Sequence, residues 1–357
     1  MKSVLDFLRK YLGWRHWAVL RYNSIFENLF VIFYIALRTT DYSLTFLVDI
    51  VVFLLFSVLS TTYGYLINDF ADIDLDREHG KTNTFAEDSK SKAISITLLF
   101  LGLSILLGYR FAGNDSFSLL WISWVLISTL YSLPPVRLKE RGKIGLVFVV
   151  LAQRLFPVLL VFSAFRFPIS WEIVVLSIYV FFRGASSDIN HQLEDFENDI
   201  ATGTSTFAVE TGKKKVAAIL RFSLEAEKVM LQAILIYFVF IFRDFHYLPL
   251  LALGASVFLY TVMYGVSIYQ IVTTPDIDVN PFKPSGSGIF QFLHHSYPSV
   301  ILPATLNLIL AFSNWQFAIL LIIFGSLRGI FSPTMIKNSF LFEAVFRGQA
   351  RNKIGDI

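Results

Sequence analysis

The sequence contains no cysteine, and charged residues are scarce for a chain of 357 residues. Without cysteine, disulfide scaffolds, zinc–thiolate sites and cysteine nucleophiles are all excluded. Charged residues make up 16% of the chain, whereas a soluble domain has about 25%. This scarcity argues against a soluble enzyme and against a disordered chain. The net charge of +3 is too small to indicate a nucleic-acid partner.

Hydrophobic residues make up 55% of the chain, and they include 37 Phe, 15 Tyr and 6 Trp. They are gathered in runs close to the roughly 20 residues that an α-helix needs to cross a bilayer. The pattern predicts an all-α, polytopic membrane protein with one transmembrane domain over residues 1–357 and its helical bundle over 24–332. The ten predicted spans are 24–40, 43–66, 93–112, 117–133, 145–165, 170–187, 214–242, 246–272, 289–312 and 315–332.

The N-terminus and every second loop carry most of the basic residues. Residues 2–17 mix apolar and aromatic side chains with basic ones, which predicts an amphipathic helix that lies in the membrane interface. Further basic clusters fall at 77–92, 137–143 and 213–215, and in the tail 333–357. Because cytoplasmic loops carry an excess of Lys and Arg, we expect all of these segments to be cytoplasmic.

An acidic segment follows the second predicted span. On a helix, Asp69, Asp72 and Asp76 stand at positions i, i+3 and i+7 and therefore share one face. Asn68 stands one helical turn before Asp72. Three carboxylates on one stripe repel each other, so we expect such a stripe to be stable when a cation neutralises it.

A second acidic segment follows the sixth predicted span. Asp188, Gln192, Asp195 and Asp199 stand at i, i+4, i+7 and i+11, which again predicts one helical stripe. Oxygen ligands without His or Cys suit Mg²⁺, which takes a few carboxylates and completes its shell with phosphates. Both stripes lie on the predicted cytoplasmic side, so together they predict a diphosphate-binding site at the membrane face. The alternative is a pair of solvated acidic loops.

At these residues the sequence resembles the UbiA family of intramembrane prenyltransferases. The first stripe matches the family motif N-D-x-x-D-x-x-x-D at Asn68–Asp76, and the second matches D-x-x-x-D at Asp195–Asp199. A third segment, Tyr131–Lys139, is similar to the family signature Tyr-Ser/Thr-x-Pro-Pro-x-Arg. The order and spacing of the three motifs agree with the family, and the resemblance covers roughly residues 20–330.

The resemblance implies a bundle of nine transmembrane helices around a central cavity, so we expect nine to ten such helices in this chain. It also implies two Mg²⁺ ions that grip the diphosphate of a prenyl donor, with a lipid-facing opening for the isoprenoid tail. One departure concerns the Arg-Pro-Leu sequence that follows the first motif in many members. Here the stretch is Lys81–Glu87, and we expect Lys81 or Arg77 to supply the missing cation.

The resemblance also suggests a role for individual residues. The expected metal ligands are Asp69, Asp72, Asp76, Asp195 and Asp199, of which Asp72 and Asp195 are the expected catalytic residues. The expected diphosphate-binding residues are Asn68, Arg77, Lys81, Tyr131, Arg137, Lys139 and Gln192. Asp188 and His191 are expected to support the ligands from behind.

The leading hypothesis is a Mg²⁺-dependent transferase that moves a polyprenyl group from an isoprenoid diphosphate to a small acceptor, an aromatic compound or quinone precursor. A second hypothesis keeps the same site but needs no acceptor: an intramembrane terpene cyclase. A third is an ion-coupled transporter. Against the transporter, the acidic residues cluster at one predicted membrane face, whereas transporter sites lie near mid-depth. Neither the identity of the acceptor nor the length of the donor follows from the sequence.

Overall fold

The computed structural model describes residues 2–13, 19–20, 23–78, 80–244, 246–274, 277–283 and 288–327. In these residues the secondary structure is helical, apart from an isolated parallel β-bridge between Gly142 and Thr206. Three predictions therefore fall partly or wholly outside the described residues: the end of the interfacial helix (14–17), the end of the last span (328–332) and the cytoplasmic tail (333–357).

The α-helices of the described residues follow one another with short connections. They are α1 (Lys2–Tyr11), α2 (Ser24–Glu27), α3 (Phe30–Thr39), α4 (Leu44–Glu78), α5 (Lys90–Gly108), α6 (Asp115–Ser132), α7 (Gly142–Val150), α8 (Phe156–Ala164), α9 (Trp171–Glu194), α10 (Phe196–Thr202), α11 (Phe207–Thr211), α12 (Lys213–Ile241), α13 (Tyr247–Thr273), α14 (Gly288–Gln291), α15 (Leu302–Ser313) and α16 (Ala318–Leu327). Short 3₁₀ turns occupy Tyr109–Phe111, Leu138–Glu140 and Trp315–Phe317, and π-helical stretches occupy Leu151–Leu155 and Phe292–Ile301.

The helices form two compact units, Met1–Ile234 and Leu235–Ile357. Both acidic motifs and the Tyr131–Lys139 segment belong to the first unit. The candidate site is therefore built within one unit.

Five stretches of the described residues are long and apolar enough to cross a membrane, and each overlaps a predicted span. They are Leu44–Glu78, Lys90–Phe111, Gly142–Ala164, Tyr247–Thr273 and Gly288–Ser313. Large apolar side chains such as Leu106 and Phe258 are exposed along them, as expected of surfaces that face lipid rather than water. The total of nine to ten spans stays a prediction.

The first predicted span, 24–40, is wrong in one respect, because two helices replace the single helix. The Asn23 side chain caps α2 by accepting hydrogen bonds from the backbone of Ile25 and Phe26. The helix ends at Glu27, with Asn28 as its C-cap, before α3 begins. The first eight residues of α3 are all buried. A helix that is apolar on every face belongs in the interior of a protein, which accounts for the composition of this segment.

The second predicted span ends at 66, but α4 continues to Glu78. Its 35 residues make a helix of about 52 Å, whereas the hydrocarbon layer is about 30 Å thick. The last turns of α4 therefore extend beyond the apolar part and carry Asn68–Asp76. Gly80 lies at φ +63° just after the helix, a conformation that glycine adopts at low cost and that commonly ends helices.

The N-terminal helix α1 is held on the segment that follows α4. The side chains of Lys10 and Tyr11 donate hydrogen bonds to Asp88 Oδ2 at 2.7 and 2.9 Å. Phe7 and Tyr11 pack in the same apolar cluster as the buried ring of Phe85. Burial alone would raise the pKa of Asp88, but hydrogen bonds from Lys10, Lys92 and Tyr11 outweigh it and lower the pKa to about 2.

The low pKa of Asp88 predicts how the docking of α1 depends on pH. The folded-state pKa of Asp88 lies below the ordinary value of 3.8. The stabilisation that the Asp88 carboxylate gives to the docked α1 is therefore complete above pH 4 and is lost as the pH falls through about 2. In Asp88→Asn we expect pepsin at pH 4 to cleave within α1 roughly fivefold faster, the consequence of losing about 1 kcal/mol. Asp6→Asn is the control, since the Asp6 side chain is 72% exposed. Equal cleavage of both variants would contradict this account.

Candidate functional site

The first acidic motif lies on the last turns of α4, as the spacing of its residues predicts. Asp69 is 1% exposed and Asp72 is 7% exposed, so both carboxylates are withdrawn from bulk solvent. Asp69 Oδ2 accepts a hydrogen bond from the Thr84 backbone at 3.0 Å, and Asp76 Oδ2 accepts one from the Asn83 side chain at 2.8 Å. The segment after α4 therefore folds back onto the motif.

Two cations of the Tyr131–Lys139 segment contact the centre of this motif. Lys139 Nζ contacts Asp72 Oδ2, and Arg137 Nη2 lies 3.3 Å from Asp72 Oδ1. Lys139 Nζ and Ser132 Oγ both donate to Asn68 Oδ1 at 3.1 Å. The positive charge that a diphosphate needs is therefore beside the carboxylates that a metal needs.

The two cations differ in how firmly they hold their protons. Burial lowers the pKa of Lys139, and the neighbouring Asp72 offsets only part of that effect. Burial also disfavours the charge of Arg137, but its hydrogen bond to Glu140 and the charges of Glu140 and Asp72 raise its pKa overall. Arg137 is therefore a permanent cation, whereas the charge of Lys139 depends on the carboxylate beside it.

The second acidic motif departs from the predicted single stripe, because α9 ends at Glu194 and α10 begins at Phe196. Asp195, at φ −86° and ψ 0°, forms the break. Backbone hydrogen bonds still join residues 191 to 195 and 195 to 199 at 3.0 and 2.8 Å, so Asp195 and Asp199 keep their one-turn spacing. Burial and the charge of Asp195 raise the pKa of Asp199, although the Thr206 hydroxyl donates to its Oδ2 at 3.1 Å.

The residues just after the third segment connect it to the second acidic motif. The Gly142 backbone donates to the Ser205 carbonyl at 2.9 Å, and Gly142 forms the β-bridge with Thr206. Thr206 in turn contacts Asp199. In addition, Lys81 from the segment after α4 acts electrostatically on Asp199. Residues more than a hundred positions apart in the chain thus meet at one place.

A cavity of about 260 Å³ opens beside the first motif. Asn68, Tyr131 and Ser132 line it next to the motif. Its aromatic lining residues are Phe53, Phe56, Tyr65, Trp121, Trp124 and Tyr131. The Trp124 indole N–H donates to the Ala152 carbonyl at 2.7 Å, which fixes that ring. An aromatic cavity with polar groups on its wall suits a ligand that has an apolar part and a charged part.

Three further residues expected at the site, Arg77, Gln192 and His191, make their described side-chain contacts with neighbouring residues and not with the expected metal ligands. Arg77 is exposed and lies 3.9 Å from Asp74 and 3.5 Å from the Ala86 carbonyl. Gln192 Oε1 accepts from the Ala208 backbone at 3.1 Å, which ties α9 to α11. His191 is mostly exposed and lies 3.9 Å from Glu194.

Asp188 has a different environment, because it is 9% exposed and its Oδ2 atom is buried without a hydrogen-bond partner among the described residues. It acts electrostatically on Tyr131, which lines the cavity.

Sequence reasoning missed several residues that contact the motifs: Asn83, Thr84, Ser132 and Glu140. Their contacts depend on how loops fold back, and no periodic pattern in the sequence reports that. For Asn83 the one available signal is its position in the short polar segment after Asp76.

The resemblance implies Mg²⁺, and the oxygen donors at the site show how such an ion could be bound. Among the described residues, no three His, Asp or Glu side chains converge as a group that could hold a metal ion. The donors are carboxylate oxygens on two motifs, with an amide oxygen at Asn68. Mg²⁺ keeps several waters and is held by one or two carboxylates together with substrate phosphates. The donor set fits an ion that binds together with a diphosphate, rather than one enclosed by protein alone.

Residues 29–274 match the sequence profile of the UbiA prenyltransferase family. Among solved structures, the chain is similar to a UbiA homologue from Archaeoglobus fulgidus bound to GPP and Mg²⁺, with a TM-score of 0.55 and 20% sequence identity. The match covers 85% of this chain and 99% of that chain. The same homologue bound to DMAPP and Mg²⁺ gives 19% identity, the same coverage and a TM-score of 0.54. At this identity the likeness concerns the fold. No curated protein matches the sequence.

The close packing at Gly142, where the backbone pairs with Ser205 and Thr206, predicts how a side chain added there would affect stability. Gly142 lies at φ +50°, and a Cβ atom there would lie 2.0 Å from the Glu210 carboxyl group. Gly203 has a similar φ of +67° but open space around it. We expect Gly203→Ala to cost about 1 kcal/mol from backbone strain alone. Gly142→Ala should cost more, because the Glu210 side chain must also move and give up the hydrogen bond that its Oε1 accepts from the Ser205 hydroxyl. Thermal unfolding of both variants measures the difference, and equal losses would contradict it.

Proposed function

The chain belongs to the UbiA prenyltransferase family, and on this basis we propose that it transfers a prenyl group from an isoprenoid diphosphate to a small acceptor in a Mg²⁺-dependent reaction. Membership makes it a multi-pass membrane enzyme, consistent with its long apolar helices. The observation that carries the finer proposal is the meeting of Asp72, Arg137 and Lys139 beside an aromatic cavity.

The carboxylates of the two motifs are proposed to hold the metal, with Asp72 and Asp195 central. The proposed ligands are Asp69, Asp72, Asp76, Asp195 and Asp199, for two ions. When bound, Mg²⁺ neutralises the charge that develops on a leaving diphosphate. The first motif is well suited to this, because Asp69 and Asp72 are buried. Hydrogen bonds to Asp69 and Asp76 and the ion pair of Asp72 with Lys139 limit the movement of all three carboxylates.

The cations and polar groups are proposed to bind the diphosphate itself. Arg137 offers a planar fork that matches phosphate oxygens, and Lys139 offers a point charge. Lys81 follows the first motif in the chain and acts electrostatically on Asp199 of the second, so it is proposed to bind the diphosphate between them. Asn68 and Tyr131 line the cavity next to these charges and are proposed to donate hydrogen bonds. Arg77 and Gln192 complete the proposed set, with Asp188 and His191 behind the ligands.

The aromatic cavity is proposed to hold the prenyl chain near its diphosphate. Aromatic faces stabilise positive charge, and exclusion of water protects a reactive allylic group from hydrolysis. The similar structures carry GPP and DMAPP, so GPP is a suitable first donor to test. We propose an aromatic compound or quinone precursor as the acceptor, and we place both motifs on the cytoplasmic side because of the Lys and Arg bias.

Loss of a central carboxylate is the direct test. With purified protein, GPP, Mg²⁺ and a panel of acceptors, we expect Asp72→Asn and Asp195→Asn each to lower diphosphate release roughly 10²–10³-fold, the scale of losing one charge-stabilising group. Asp74→Asn is the matched control on α4, since Asp74 is 67% exposed and pairs with Lys90. EDTA should abolish release in the parent protein.

Failure to release diphosphate from GPP or any longer prenyl diphosphate would overturn the proposed function. Release from the donor alone, with a cyclic hydrocarbon or alcohol as product, would indicate the cyclase instead. Release that is unaffected in Asp72→Asn would remove the assigned site.

The lysine beside Asp72 gives a separate test of diphosphate binding. In Lys139→Gln we expect the KM for the donor to rise about 10–100-fold, because a hydrogen bond to a charged group contributes about 1.5–3 kcal/mol. Lys143→Gln is the control, since Lys143 is an exposed lysine four positions away. An unchanged KM in Lys139→Gln, measured by steady-state diphosphate release, would show that this lysine does not bind the donor.

A further inference from the structure

Asn83 contacts the first acidic motif at two points, although it lies outside it. Asn83 is 8% exposed, and its amide nitrogen donates to the Asp69 backbone carbonyl and to Asp76 Oδ2, both at 2.8 Å. The next residue, Thr84, donates its backbone N–H to Asp69 Oδ2 at 3.0 Å. One short segment therefore orients two of the three carboxylates on the α4 stripe.

The Asn83 side chain is itself fixed from behind. Its Oδ1 atom accepts from the Phe85 backbone N–H at 2.8 Å, the contact of an Asx turn. The Phe85 ring is fully buried in the apolar cluster that includes Tyr11. Further along, Asp88 is held by Lys10 and Tyr11. The amide nitrogen of Asn83 is thus fixed on the motif, and its amide oxygen is fixed on a segment that is itself held by the apolar cluster and α1.

The chemistry of an amide suits this position. An asparagine side chain donates hydrogen bonds without carrying charge, so it orients a carboxylate and leaves its negative charge available to a cation. A lysine in the same place would compete with a metal. Mg²⁺ requires near-ideal octahedral geometry at about 2.0–2.1 Å, and residues that orient its ligands typically contribute 10–100-fold in affinity.

We propose that Asn83 is a positioning residue of the first motif, which orients Asp76 and the helical turn at Asp69 for divalent-ion binding. The proposal rests on the proposed function, because it takes the motif to be a metal site. Asn83 acts through Asp76, and it is not a ligand.

The test is a titration of the purified full chain with Mn²⁺, both alone and with a fixed concentration of inorganic diphosphate, in which electron paramagnetic resonance measures free Mn²⁺ against a protein-free blank. We expect Asn83→Ala to weaken Mn²⁺ binding about 10–100-fold. In the diphosphate-release assay, the Mg²⁺ concentration for half-maximal rate should rise, while kcat at saturating Mg²⁺ stays near the parent value. A variant that is merely less stable would not show this split.

A second variant separates positioning from folding. Asn83→Ser keeps an oxygen that can accept from the Phe85 backbone, but one hydroxyl cannot replace both hydrogen bonds of the amide. It should weaken Mn²⁺ binding while its thermal unfolding stays near the parent's, and it decides the question if Asn83→Ala does not fold. Asn280→Ala is the matched control: Asn280 is also 8% exposed, and its Oδ1 accepts from the Phe282 backbone at 2.9 Å. Its Mn²⁺ affinity should equal the parent's.

A double-variant cycle tests whether Asn83 acts through Asp76. In an Asp76→Asn background, Asn83→Ala should cause little further loss of Mn²⁺ affinity, because coupled residues do not act additively. An additive loss would overturn the proposal, as would parent-like Mn²⁺ binding by both Asn83 variants. In those cases the proposed function stands. If the parent chain binds no Mn²⁺ either alone or with inorganic diphosphate, the metal premise fails and both proposals are overturned.

Discussion

Three carboxylates on one face of a single helix repel each other, and two of them are buried. Burying a carboxylate is costly unless it is hydrogen-bonded or paired with an opposite charge. In this chain a different partner meets each one: the Thr84 backbone for Asp69, Lys139 and Arg137 for Asp72, and Asn83 for Asp76. The need to satisfy this stripe accounts for the way the two following segments fold. The segment after α4 turns back along its own helix, and the segment after α6 comes to the same place from elsewhere in the chain.

The membrane explains why the stripe lies at the end of a long helix. In the hydrocarbon layer every backbone polar group must be satisfied within the helix, and charged side chains are expensive there. The continuous helix α4 meets the first condition over its apolar length and then extends far enough to carry Asn68–Asp76 past it. Catalytic groups on a helix are held more precisely than groups on a loop. A loop at the end of a shorter helix would not keep the three carboxylates in register.

Much of this arrangement follows from the sequence, and the exceptions have physical causes. Helical spacing predicts that Asp69, Asp72 and Asp76 share a face, because 3.6 residues per turn leaves little choice. The same reasoning fails at Asp195, where the helix breaks at a residue with no glycine or proline to announce it. It fails again at 24–40, where Asn23 and Asn28 delimit a short helix inside an apolar run. The contacts of Asn83 could not be predicted at all, since they depend on the path of a loop and not on a period. The number of membrane spans likewise needs more than hydropathy, because the buried helix α3 is as apolar as a span.

The partners of the three carboxylates divide by charge, and this division has a consequence for cation binding. Neutral donors orient Asp69 and Asp76, whereas cations contact Asp72, and Glu140 in turn pairs with Arg137 at 2.5 Å. These side chains thus comprise four carboxylates and two cations, an excess of two negative charges. The carboxylates are those of Asp69, Asp72, Asp76 and Glu140, and the cations are Arg137 and Lys139. One divalent ion would balance that excess. If cations held all three carboxylates, the stripe would be neutral or positive and would repel a metal. If no cation were present, the motif would have metal ligands but no positive group to receive the diphosphate. Neutral donors on two carboxylates and cations on the third are therefore what a site needs when it has to bind a metal and an anion together.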